Sequence, residues 1–252
     1  AGGAAATWSS NEGTNTGNPI GVSSGITFTG SGELDNGTAV TLTITNNVAN
    51  GLSAVNINLD TPGLGGIKIN GKSGGTGIDI IDDKMPTAWE ETNGTSLGTG
   101  LQTVAGSGAY VNIGWSLSSD MLPDGLSVDL AWAPRASGTA TADKGQGGDV
   151  GPVGQSYDLV LQHSGLIDGL NVFAGTSTIE QIKGNSADDD RKQYAWGATY
   201  AVGGVTVGYQ ESKDNTSSAV GASTSYYDNE AYAVSFNVSD NLSLSYGIHK
   251  SL

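Results

Sequence analysis

From residue 25 onward the chain alternates apolar and polar side chains with a period of two. In TAVTLTITN, Val40, Leu42 and Ile44 share one face, and Thr41, Thr43 and Thr45 the other. Val55, Ile57 and Leu59 oppose Asn56, Asn58 and Asp60, and Ile67 and Ile69 oppose Lys68, Asn70 and Lys72. Further along, Val111, Ile113, Trp115 and Leu117 form one apolar face, and Leu126, Val128, Leu130 and Trp132 the next. The closing third repeats the pattern with Tyr194, Trp196, Ala198 and Tyr200, with Val205, Val207 and Tyr209, with Tyr232, Val234, Phe236 and Val238, and with Leu242, Leu244, Tyr246 and Ile248. Successive side chains of a strand point to opposite sides, so each run predicts a strand with one apolar and one polar wall. About twelve such strands of roughly nine residues are expected, the length that crosses a bilayer when tilted. Val160 and Phe173 break the pattern by falling on the polar parity. Either a loop folds inward onto them, or the register slips by one residue there.

The connections alternate too. Short ones carry hairpin residues: Asp35-Asn36-Gly37, Thr61-Pro62-Gly63, Pro123-Asp124-Gly125, Asp168-Gly169, Gly203-Gly204 and Asp240-Asn241. Longer polar segments lie between them at 1–24, 73–108, 135–154, 180–190 and 214–225, and only Asn47 to Gly51 is short where length is expected. Short turns on one rim and long loops on the other predict an all-β, antiparallel up-and-down transmembrane β-barrel, since a soluble sandwich has no reason to sort its loops this way.

Composition narrows the function. With 25 acidic and 10 basic residues the chain carries a net charge of −15, a field that repels phosphate and excludes a nucleic-acid partner. The absence of cysteine excludes disulfides, thiolate metal sites and a thiol nucleophile. No run reaches the ~18 apolar residues that a membrane helix needs, which leaves a β-barrel untouched.

Three motifs resemble chemistry without its context. Gly66 to Ser73, GIKINGKS, fits the P-loop spacing, but its middle alternates as a strand and the glycines after it cannot open the phosphate-binding helix. Gly21 to Gly25 and Gly71 to Gly75 fit G-x-S-x-G without the strand, turn and helix of a nucleophile elbow. Gly74 to Asp82, GGTGIDIID, matches one calcium-binding nonapeptide, a motif that works only as stacked copies. No enzyme is expected.

The stretches GITFTGSGELDNGTAVTLTITN (25–46), DTPGLGGIKINGK (60–72) and QYAWGATYAVGGVTVGYQESKDN (193–215) resemble hairpins of Gram-negative outer-membrane general porins, especially the alphaproteobacterial type. The resemblance covers nearly the whole chain and rests on small residues, alternation and turn glycines. It implies a sixteen-stranded trimeric barrel in the outer membrane that passes ions and small hydrophilic solutes, among lipid and lipopolysaccharide. It also implies a long third external loop folded into the lumen. With the strand at 26–33 as the second, 64–72 is the fifth, 73–108 is the constriction loop, and 242–250 is the thirteenth. Residues 1–252 then form a single barrel domain, incomplete at both ends, with one strand expected before residue 1. The competing reading is a secreted or surface acidic β-rich adhesin or carbohydrate-binding module, which would turn its apolar parity inward.

Under the porin reading the acids of the loop become a selectivity element. Asp79, Asp82, Asp83, Glu90 and Glu91 fall in it with only Lys84 opposing them. Adding the inward-parity Glu33, Asp60, Asp129 and Asp158, against Lys68, Lys72, Lys84 and Arg191, gives a lining charge of about −5 and a mild cation preference. Lys68 and Lys72 opposite the loop acids would set up a transverse field. Asp143 and Asp188 to Asp190, in other long loops, are expected at most to bind Ca²⁺ weakly; no other cofactor is expected. Trp and Tyr on the apolar parity are expected at membrane interfaces.

Overall fold

The computed structural model describes residues 2–6, 20–47, 51–71, 74–87, 104–136, 153–181, 190–215, 226–239 and 242–252. Thirteen strands follow one another: β1 Gly2–Ala6, β2 Ile20–Glu33, β3 Ala39–Asn47, β4 Gly51–Thr61, β5 Gly65–Asn70, β6 Asn112–Leu117 and β7 Leu126–Ala133, then β8 Val153–Ser164, β9 Leu170–Gln181, β10 Arg191–Val202, β11 Val205–Asn215, β12 Tyr226–Ser239 and β13 Leu242–Ser251. They form one sheet in chain order, every neighbouring pair antiparallel. Among the described residues β1 and β13 each pair along one edge only.

The alternation is realised as expected. Phe28 faces Ile44, Leu42 faces Ile57 and Tyr209 faces Tyr232 on the outer side, while Thr29 faces Thr43 and Gln210 faces Ala231 on the inner side. Large apolar side chains of the outer face are solvent-accessible, among them Phe28 at 63% and Tyr246 at 67%. The short turns form where glycine supplies a positive φ, as at Gly37 (81°) and Gly63 (75°). The Asp240-Asn241 turn and residues 48–50 lie outside the described residues.

One expectation is corrected. The first 24 residues read as a loop, yet Gly2–Ala6 forms a strand that pairs with Ile20–Ser24. GGAAA carries no apolar-polar alternation, so pairing there rests on the backbone ladder and leaves no side-chain pattern to read. The sheet therefore has thirteen described strands where the pattern marked about twelve.

The buried apolar cluster does not sit between two layers of secondary structure. It lies on the inner face of the sheet, beneath the long connection between β5 and β6. Ile78, Ile81, Met85 and Val104 from that connection pack on Val160 of β8, Phe173 of β9, Ala195 of β10, and Ala231 and Ala233 of β12. Val160 and Phe173 hold regular register with Asp129 and Gln162. Their apolar side chains face inward because the loop covers them, not because the strands slip.

Candidate functional site

The inner wall holds the loop through polar side chains borne by five strands. The loop leaves β5 at Asn70, whose amide donates to the Gly74 carbonyl (3.2 Å) and to Thr76 Oγ1 (3.4 Å). A 3₁₀ turn at Gly77–Ile81 then crosses β8 and β9. There Asp158 accepts the Ile78 amide at 3.0 Å. Farther on, Gln210 of β11 accepts the Lys84 amide at 3.0 Å and donates to the Ile81 and Asp82 carbonyls. The returning limb, a second 3₁₀ turn at Gly106–Ala109, donates the Gly106 amide to Gln193 of β10 (2.8 Å). Ser107 reaches both Ser156 and Asp158 of β8. Asn112 of β6 closes the circuit: its amide donates to the Ser107 and Tyr110 carbonyls, and its oxygen accepts Thr76 Oγ1 at 2.8 Å. Asn70, Asn112, Asp158, Gln193 and Gln210 are all buried, so each satisfies loop backbone that would otherwise lose its hydration.

Close approach of the loop requires missing side chains on the wall. A Cβ at Gly208 would stand 2.6 Å from Pro86 Cδ, and one at Gly175 2.8 Å from Ile81 Cδ1. Both distances are shorter than real Cβ contacts, so the loop rests in furrows that only glycine leaves open.

The sequence-predicted site residues separate into three groups. Asp79, Asp82 and Asp83 are half-buried on the first limb of the loop. Asp79 accepts the Gly75 amide, Asp82 accepts the Asp83 amide at 2.7 Å, and Asp83 accepts the Met85 amide at 3.0 Å. Each carboxylate thus also shapes its own turn. Lys68 donates to the Gly74 and Gly75 carbonyls at 2.8 and 3.4 Å and lies near enough to Asp79 for the two charges to interact. Glu90, Glu91 and Lys72 lie outside the described residues, as do Asp143, Asp188 and Asp189. Asp190 accepts the Gln181 amide at 3.0 Å, and among the described residues no three acids or histidines converge as a metal site.

Arg191 is not a free cation. Its guanidinium grips the fully buried Asp214 of β11 in a two-pronged ion pair, Nε to Oδ1 at 2.8 Å. Beside it, burial pushes the Tyr110 hydroxyl above its ordinary range, with Arg191 pulling it down and Asp214 pushing it up. Asp214 shares the inward parity of Gln210 and Ser212, so its inward position is legible from the alternation of β11. Asp158 is the other adjustment, since it points inward as expected but is buried under the loop and lines no open water. Of the other charges expected on the inner wall, Glu33, Asp60, Asp129, Asp79, Asp82, Asp83, Lys68 and Lys84 lie among the described residues and none is fully buried.

The described strands form a single antiparallel sheet in chain order, apolar outside and holding one long connection on its inner wall. Similarity to solved structures agrees. The chain is similar to OmpF of Salmonella typhi in its complex with daunomycin, with a TM-score of 0.67 and 14% identity over 99% of this chain and 76% of that one. It is similar to the anion-selective porin of Comamonas acidovorans, with a TM-score of 0.63 and 14% identity over 92% and 72%. OmpT of Vibrio cholerae follows with a TM-score of 0.61 and 13% identity over 93% and 71%. No protein-family model and no curated protein sequence matches the chain. The fold is that of Gram-negative porins, at a sequence distance that carries the architecture alone.

Proposed function

We propose that the chain forms a water-filled channel of the Gram-negative outer membrane for passive diffusion of ions and small hydrophilic solutes, with no catalytic residues. The observation that carries this reading is the loop of residues 73–108. Its described limbs are pinned to the inner wall by Asp158, Gln193 and Gln210, in a sheet whose opposite face presents Phe28, Leu244 and Tyr246. A soluble adhesin or carbohydrate-binding module would bury that apolar face. In the proposal the loop is the constriction. The excess of lining acids attracts cations, and screening over about 8–10 Å at physiological salt keeps the preference mild. The apolar outer face meets lipid and lipopolysaccharide and, in a homotrimer, its neighbours. The glycine-rich hairpins at 25–46 and 193–215 support kinship with the alphaproteobacterial type. Extraction of the native envelope tests the reading against its rival. The channel needs detergent to leave the membrane fraction, whereas release by salt or buffer alone would favour the surface module.

A further inference from the structure

Below the loop, on the side of the short turns, a chamber of about 360 Å³ opens between the loop and the inner wall of β7 to β10. That volume is at the small end of the ~300–1,000 Å³ range of small-molecule sites. Lys84 lines it from the loop, facing Ser127, Gln162, Asn171 and Thr199 of four successive strands, with Phe173 as an apolar floor. Apart from the His163 imidazole, Lys84 is the one ionisable group of the lining, and no carboxylate contributes to it. None of the ion pairs among the described residues includes Lys84, and the side-chain amides of Gln162 and Asn171 have no hydrogen-bond partner among those residues. The Lys84 amide is fixed by Gln210, so the root of this side chain is held in place. A half-buried lysine gathered with unpartnered side-chain amides, the Thr199 hydroxyl and a Ser127 hydroxyl that bonds only weakly to the Gln162 carbonyl (3.4 Å) attracts a compact anion with several acceptor oxygens.

We propose that this chamber is a binding site for a small oxyanion, the carboxylate or phosphate end of a solute that has passed the loop. The channel reading supplies the solute, while the chemistry of the chamber stands apart from it. Lys84 provides the charge, Gln162, Asn171 and the Thr199 hydroxyl donate to the remaining oxygens, and Ser127 joins them by turning its hydroxyl from the Gln162 carbonyl. The acids of the loop above and the base below would then meet opposite ends of a zwitterionic solute in turn.

The folded full chain in detergent micelles is titrated with ¹³C-acetate and, separately, with inorganic phosphate, and line broadening of the anion is followed by NMR. Saturable broadening by either anion is expected. It should weaken at least about tenfold in Lys84→Gln, persist in Lys84→Arg and persist in Lys250→Gln on the outer face. Asn171→Leu, which alters the opposite wall and leaves the loop untouched, should weaken it as well. Broadening that is absent with both anions, or equal in wild type, Lys84→Gln and Asn171→Leu, overturns the site. Binding without bilayer conductance would contradict the channel and keep the site, and conductance without Lys84-dependent binding would do the reverse.

Discussion

Asp158 and Ser107 lie 51 residues apart and meet twice: the Ser107 amide donates to one carboxylate oxygen and its hydroxyl to the other, each at 2.9 Å. The same carboxylate accepts the Ile78 amide from the outgoing limb. One side chain of β8 therefore ties both limbs of the loop to the wall. Removing it leaves buried donors without an acceptor, at about 1–3 kcal/mol for each orphaned group. Asp158→Ala should lower the denaturant midpoint and speed amide exchange at residues 77–81 and 106–109, while the outer-face ladder of β3 and β4 stays protected. Unchanged exchange at those loop amides would remove Asp158 from this role.

Gly208 and Gly175 give a steric counterpart. Gly208→Val should force Pro86 and Met85 off β11, and Gly175→Val should displace Ile81. Both should destabilise the fold, by about 1–3 kcal/mol as overpacked sites do. Gly30→Val makes the control, because a Cβ there meets nothing within 4 Å. Urea midpoints compared at constant m-value check the contrast.

At the other end of the strands, Arg191→Leu should leave Asp214 as a buried, uncompensated carboxylate and cost about 3–5 kcal/mol. Replacing both residues by leucine should recover most of that loss. A double-mutant cycle on unfolding free energy measures the coupling, and additive losses would show the pair to be independent.

Most of the sheet was legible in the sequence because each strand separates two different surroundings, which the period of two records directly. β1 was not legible, since glycine and alanine carry no such record. Val160 and Phe173 marked the inward loop by breaking parity, and this was the single local trace of a contact made over 80 residues between Ile78 and Asp158. Gln193 and Gln210 stayed hidden for a different reason. A polar residue on the inner face is the default for a wet lumen, so nothing local distinguishes an anchor from solvated lining. The inward parity of Asp214 was legible, but its partnership with Arg191, 23 residues away, left no local trace.

The selectivity of the loop is tested by charge removal. Asp79→Asn, Asp82→Asn and Asp83→Asn together should move the reversal potential in a salt gradient away from cation preference. The shift should shrink as ionic strength rises. Asparagine keeps an acceptor for the Gly75, Asp83 and Met85 amides, so the turns should survive the substitution. Anion preference in the wild type, or no shift in the variant, would place these acids outside the narrow part of the pore.

The central claim is the channel itself, and reconstitution of the folded full chain into a planar bilayer tests it most directly. In potassium chloride, with neither nucleotide nor divalent metal added, the account predicts discrete upward conductance steps that persist once formed and scale with salt. A bilayer that stays silent with protein shown to be folded would contradict it.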